Sequence, residues 1–256
     1  MRNRRASTPA RAPLLATSLL VLLAACRRSA GVECDYAHPR CPADRVCAFV
    51  EAGRSACVPF GVEEAPLTAP FRPGQAFLCS QGGRSPAGRT HSFAGDLFAA
   101  DLASSPDVPA AEVVSPVDAE AFVFDGCEER ASGPEARNSS PCGLGYGNHV
   151  KLWDGKNIHL LGHLARVSVT DGRVRRGQVI GIQGVSGAAG PRHVHVTVTR
   201  PAPDDDVTTI LKTPGYKGPI PVRVRYHVRG LNGAAATTWV DELSCAEGQP
   251  PTHVAF

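Results

Sequence analysis

The chain has 256 residues, with 27 Lys and Arg against 24 Asp and Glu, a formal net charge of +3. Four of the basic residues (Arg2, Arg4, Arg5 and Arg11) and none of the acidic ones lie in 1–25, which leaves 23 against 24 in the remainder. The basicity therefore belongs to the N-terminal segment, and nothing calls for a nucleic-acid partner.

In chain order, 1–25 comes first. A basic head precedes the apolar stretch Leu14 to Ala25, which is too short to span a bilayer comfortably and reads as an export signal. Leu23-Ala24-Ala25-Cys26 resembles a bacterial lipobox. That resemblance implies a lipid on Cys26 and a chain anchored to a membrane rather than spanning it. Arg27, in place of Asp, resembles the default outer-membrane signal, so the expected location is the periplasmic face of the outer membrane. An ordinary secretory signal with a chance cysteine is the competing reading, and both send the protein out of the cytoplasm. No later apolar run is long enough for a transmembrane helix.

A short tether, 26–33, leads to a cysteine-rich module at 34–60. Setting Cys26 aside leaves eight cysteines, an even number in an exported chain, which predicts disulfides. Zinc binding is the rival, but no CxxC pair occurs. Cys34, Cys41, Cys47 and Cys57 lie in a stretch too short to bury much core, and they allow three pairings. Of the later four, Cys127 with Cys142 is the most local pair, leaving Cys79 with Cys245. Residues 61–75 hold Pro66, Pro70 and Pro73 and read as a linker. Residues 76–256 read as one domain.

That domain is expected to be all-β and mostly antiparallel. Glu112–Val114 and Ala121–Phe124 are short apolar runs between Pro and Gly. His149 to Trp153 alternates, Asp154-Gly155 turns, and Ile158 to Leu161 returns, which predicts a hairpin. Val179 to Ile182 precedes a glycine-rich loop, 184–190. His193 to Val198 then alternates as a strand, and so does Val222 to Val228. No long segment shows a helical period. Asp204 to Asp206 reads as a solvated loop, since it lacks the spaced ligands of a calcium site.

His193 and His195 are two apart on a strand, so they share a face, about 7 Å apart along it. Two imidazoles on one face suit a metal with a neighbouring acid or base. A catalytic zinc needs about three protein ligands and one open position. His195 supplies one candidate; His91, with Asp96 or Asp101, supplies others. His163, placed just after a strand, and His193 remain to handle protons or a developing oxyanion. His149 and His159 read as packing or surface residues.

Gly145-Tyr146-Gly147-Asn148-His149-Val150, Gly162-His163-Leu164, Val174 to Gly181, Ser186-Gly187 and Gly190-Pro191-Arg192-His193-Val194-His195 follow in the order seen in lysostaphin-type zinc metallopeptidases. The resemblance covers roughly 79–200, and its five pieces together are specific where each alone is weak. It implies a compact β fold with Zn2+ at the floor of a groove. It implies metal ligands at His91 and His195 and catalytic imidazoles at His163 and His193. The short form of the motif places an aspartate four residues after the first His, but position 95 is Gly. Asp96 is one residue late. Asp101, in Ala99-Ala100-Asp101-Leu102, matches the longer form better and is the preferred third ligand. Arg192 between Pro191 and His193 is a second departure.

The implied activity is hydrolysis of peptide cross-links in bacterial peptidoglycan, which makes peptidoglycan the expected partner. Some relatives of that family are exported proteins without metal that bind cell wall or activate amidases, and the unusual aspartate keeps that reading alive. A zinc D-Ala-D-Ala carboxypeptidase is less favoured, because no Glu-Pro-Trp-His-like segment is present.

Overall fold

A computed structural model describes residues 32–104, 108, 110–129, 138–229, 235–243, 245 and 254–255. The export segment 1–25, Cys26 and most of the tether lie outside the described residues. The long strand Ile158–Val167 lies at the centre of the described fold, between Asn148–Trp153 on one side and Val194–Arg200 on the other. Ala119–Phe124 pairs beyond Asn148–Trp153. Ala100–Ser104 pairs beyond Val194–Arg200, and Ala76–Gln81 beyond that. All these pairings are antiparallel, as expected. The parallel pairs are short: Gly61–Val62 with Ile220–Arg223, and Leu67–Thr68 with Arg225–Arg229.

The local chemistry explains the central hairpin. Asp154 Oδ1 accepts from the Lys156 and Asn157 amides, and Gly155 takes the positive φ of 94° that the turn needs. Along Val194–Arg200 the period of two sends Val194, Val196 and Val198 into the apolar core. His195 and Thr197 fall on the opposite face. Leu102, Leu152, Leu161 and Leu164 fill the core from the neighbouring strands.

Two local expectations are corrected. His163 does not follow a strand; it lies inside Ile158–Val167. The pairing with Asn148–Trp153 slips between Leu161 and Leu164, and His163 occupies the slip with φ of 62°. A bulge of this kind re-aims a side chain that regular pleating would send elsewhere. Asp206 is not simply solvated loop either. Its carboxylate caps the short helix Val207–Lys212 by accepting from the Thr208 and Thr209 amides.

The disulfides are Cys34–Cys47, Cys41–Cys57, Cys79–Cys245 and Cys127–Cys142. The first two select one of the three open pairings, and the last two match the expected ones. The described residues form one compact unit. The cysteine-rich strands Arg45–Glu51 and Arg54–Pro59 make a hairpin that packs on the loop leading to the metal-ligand candidates. Phe49 bridges to Phe93 through the backbone and stacks on its ring at 5.7 Å. The Tyr36 hydroxyl donates to the Ser85 carbonyl. Residues 61–75, read as a linker, lie against this body, with Leu67, Ala69 and Phe71 buried. No helix among the described residues is long and apolar enough to cross a membrane.

Candidate metal centre

Three segments bring the candidate residues together. Strand pairing sets His195 directly opposite Asp101 on one side and opposite Gly162 on the other. His91 arrives from the 82–99 loop, which is closed on itself where the Arg84 amide donates to the Leu97 carbonyl. A side chain at Gly83 would meet the Leu97 carbonyl at 2.9 Å, so only glycine lets these two stretches approach. All five sequence-derived site residues (His91, Asp101, His163, His193 and His195) are at least nine-tenths buried.

The imidazole tautomers follow from what each ring nitrogen faces, since a carbonyl can only accept. His91 Nδ1–H donates to the Gly82 carbonyl at 3.0 Å, leaving a lone pair on Nε2. That Nε2 lies 3.3 Å from His195 Nδ1 and 3.4 Å from Asp101 Oδ1. His195 Nδ1 is 2.9 Å from Asp101 Oδ1. Three donor atoms thus face one another. The donor set, two imidazoles and a carboxylate, is the chemistry of a catalytic zinc site. Bonds of about 2.0–2.2 Å in a tetrahedral zinc site separate ligand atoms by roughly 3.3–3.6 Å. Two of the three edges match, and the third is short by that measure. The residues present therefore fit the metal.

His163 and His193 stand beside this group. His163 Nδ1–H donates to the Ser186 carbonyl at 2.8 Å, and His193 Nδ1–H donates to the Pro191 carbonyl at 2.7 Å. His163 thereby turns Nε2 away from that carbonyl, where it can take up a proton. Their ring centroids are 4.8 Å apart, and the His163 ring is 5.9 Å from that of His195. His193 Nε2 lies 3.4 Å from Asp101 Oδ1. Burial, reinforced by His193 and His195, pushes His163 down to about 3, so it is neutral at ordinary pH. Burial would raise the Asp101 carboxyl, but the facing His193, His195 and His91 outweigh it and hold Asp101 well below the usual carboxylate range.

Asp96 falls outside the three-donor group. Its Oδ1 is 3.1 Å from His195 Nε2, on the far side of that ring. The Tyr146 hydroxyl donates to Asp96 at 2.5 Å, and Lys217 lies 3.3 Å from it. Burial would raise this carboxyl too; Lys217, His195 and Tyr146 together keep it below its ordinary value. Tyr146 sits within a motif noted in the sequence but without an assigned role, and Lys217 carried no signal at all. His149 and His159 are buried packing residues: the Gly215 amide donates to His149 Nε2, and His159 Nε2 is 2.8 Å from Asp154 Oδ2.

No family model matches the chain, and no match to a curated protein was found. Solved structures do resemble it. The catalytic domain of the antimicrobial peptidase lysostaphin from Staphylococcus simulans is 19% identical, with a TM-score of 0.36, over 48% of this chain and 80% of that one. The catalytic domain of the prophage-encoded M23 protein EnpA from Enterococcus faecalis, in a mutant form, is 24% identical, with a TM-score of 0.33, over 52% of this chain and 90% of that one. The deep-sea metalloprotease pseudoalterin is 13% identical, with a TM-score of 0.36, over 54% and 72%.

Proposed function

We propose that the chain is a zinc-dependent endopeptidase that hydrolyses peptide cross-links of bacterial peptidoglycan. It belongs, on this reading, with the lysostaphin-type enzymes it resembles in sequence motif, and it is held by a lipid on Cys26 at the periplasmic face of the outer membrane. The observation that supports the activity most is the His91, Asp101 and His195 donor set, with the His163 and His193 imidazoles beside it. A binding module without metal has no need of a complete donor set or of two further buried imidazoles.

Zinc held there lowers the pKa of a water towards about 7 and polarises a carbonyl. The chain's own residues do the rest. His163, fixed through Nδ1, has Nε2 available to accept a proton. An imidazole that has taken up a proton at Nε2 becomes a donor aimed at the tetrahedral oxyanion, and His193 stands close enough to share that work. Asp101, a candidate ligand, also faces His193 Nε2 at 3.4 Å and so holds that imidazole beside the group.

The test is digestion of purified sacculi by the zinc-loaded protein, scored by new peptide amino termini. Release that stops on chelation and returns with zinc is expected. A protein that holds zinc but frees no amino termini from any sacculus would sink the endopeptidase reading. Labelling of the parent but not of Cys26→Ala with a lipid precursor, followed by membrane fractionation, tests the anchor.

A further inference from the structure

The arrangement around the far side of His195 has no role in the chemistry above. Asp96 Oδ1 accepts from His195 Nε2–H at 3.1 Å. Asp96 Oδ2 accepts from the Tyr146 hydroxyl at 2.5 Å, and Lys217 Nζ lies 3.3 Å from the same oxygen. Lys217 also bonds to the Tyr146 hydroxyl and sits 4.3 Å from the centre of its ring. The Tyr146 ring in turn lies 5.2 Å from that of His195. Asp96 is 7% exposed and the Lys217 side chain 10%. Three segments far apart in the chain thus enclose one carboxylate behind one imidazole.

We infer that Asp96, held by Tyr146 and Lys217, is a positioning residue that fixes the tautomer and ring plane of His195 for the metal. This rests on the reading of His91, Asp101 and His195 as the metal site. A neutral imidazole carries one N–H. His195 has a carboxylate at each nitrogen, so in the neutral form that binds a metal its one proton has two places to go. A hydrogen on Nδ1 would donate to Asp101 and occupy the position the metal needs. Asp96 offers Nε2–H a charge-assisted acceptor, which leaves the Nδ1 lone pair facing His91 and Asp101. Lys217 offsets the charge of Asp96, so the ring is oriented without a second uncompensated anion beside the ligands. The Tyr146 bond fixes which carboxylate oxygen faces His195. An aspartate one residue past the short-motif position thus acts on the ligand histidine rather than on the metal.

The experiment measures zinc affinity by chelator competition, and the visible spectrum of the cobalt-substituted protein, in the parent and in variants. Asp96→Ala is expected to weaken zinc by about 10–100-fold, as loss of a partner to a ligating histidine does. It should also alter the cobalt spectrum. Asp96→Asn keeps an accepting oxygen and should recover part of the loss. Because Asp96→Ala strands the Lys217 ammonium, Asp96→Ala with Lys217→Met is measured alongside it and should show the same weakening. A parent that binds zinc while the double variant and Asp96→Asn match it in affinity and cobalt spectrum would overturn this inference alone. A parent that takes up no zinc would overturn both the inference and the metal-site reading beneath it.

Discussion

Asp101 and His195 are direct partners across two antiparallel strands, and their Oδ1 and Nδ1 atoms are 2.9 Å apart. The backbone register alone sets this pair on one face of the sheet, where opposed side chains meet. A one-residue slip of either strand would turn one of them to the opposite face. Two of the three candidate ligands are therefore built into the ladder, and His91 comes from a loop.

From this, His195→Ala and Asp101→Ala should each lose stoichiometric zinc and all turnover. His193→Ala should keep most of its zinc and lose turnover, since its Nε2 faces the group without completing it. Metal content by atomic emission, read beside sacculus digestion, separates the two patterns. Full activity in His193→Ala would contradict the role given to that residue.

Gly147 packs against the backbone that holds His163. With φ of 63°, a Cβ there would meet the Ser186 carbonyl carbon and oxygen at 2.3 Å. That same carbonyl accepts from His163 Nδ1–H. Gly147→Ala should cost on the order of 2–3 kcal/mol of stability. It should also lower kcat more than it raises KM, because the displaced carbonyl carries the imidazole with it. Thermal unfolding and steady-state kinetics on the same preparation check both parts.

Lys151 is 2% exposed in the middle of a strand, and its ammonium donates to the carbonyls of Ile210, Thr213 and Tyr216. It closes the C-terminal end of the Val207–Lys212 helix and secures the turn before Lys217. Lys151→Met keeps the bulk but strands three carbonyls, and should destabilise the protein by about 2–4 kcal/mol. Urea unfolding measures it; a change under 0.5 kcal/mol would show those carbonyls to be served by water.

Asp154 is one source of acid sensitivity. Burial would raise its carboxyl, but bonds from His159 and from the Asn157 and Lys156 amides bring it down to about 2, against 3.8 in the unfolded chain. A depressed carboxylate stabilises the fold above its unfolded pKa and stops doing so as the pH falls through the folded one. The contribution is about 2 kcal/mol, present at pH 5 and above and lost between about pH 4 and pH 2. Asp154→Asn should be less stable than the parent by that amount at pH 7, with the gap closing near pH 2. Denaturation curves across this range give the comparison.

The Asn148–Trp153 and Ile158–Val167 hairpin was legible in the sequence because alternation and an Asp-Gly turn are local signals. The same holds for His193 and His195, whose shared face follows from a spacing of two. The expected single strand Val222 to Val228, by contrast, is divided at Val224 into Ile220–Arg223 and Arg225–Arg229, which pair with different neighbours. His163 was misplaced at a strand end because a bulge depends on how the partner strands are registered, which no local pattern reports. Lys151 read as an ordinary polar position in an alternating strand; its three acceptors lie 59 to 65 residues further on. Asp96 was in view only as a rival ligand. What separates it from Asp101 is the side of the His195 ring on which each lies, and that is settled by Tyr146 and Lys217, 50 and 121 residues further along.

The Cys79–Cys245 bond encloses His91, Asp96, Asp101, His163, His193, His195 and Lys217 in one covalent ring. A protease that cuts any single peptide bond between those cysteines converts the ring into two branches still joined at the sulfurs. Neither branch can diffuse away, and the residues of the centre stay on one molecule. Exposed loops within the ring can thus be nicked without the protein being dismantled.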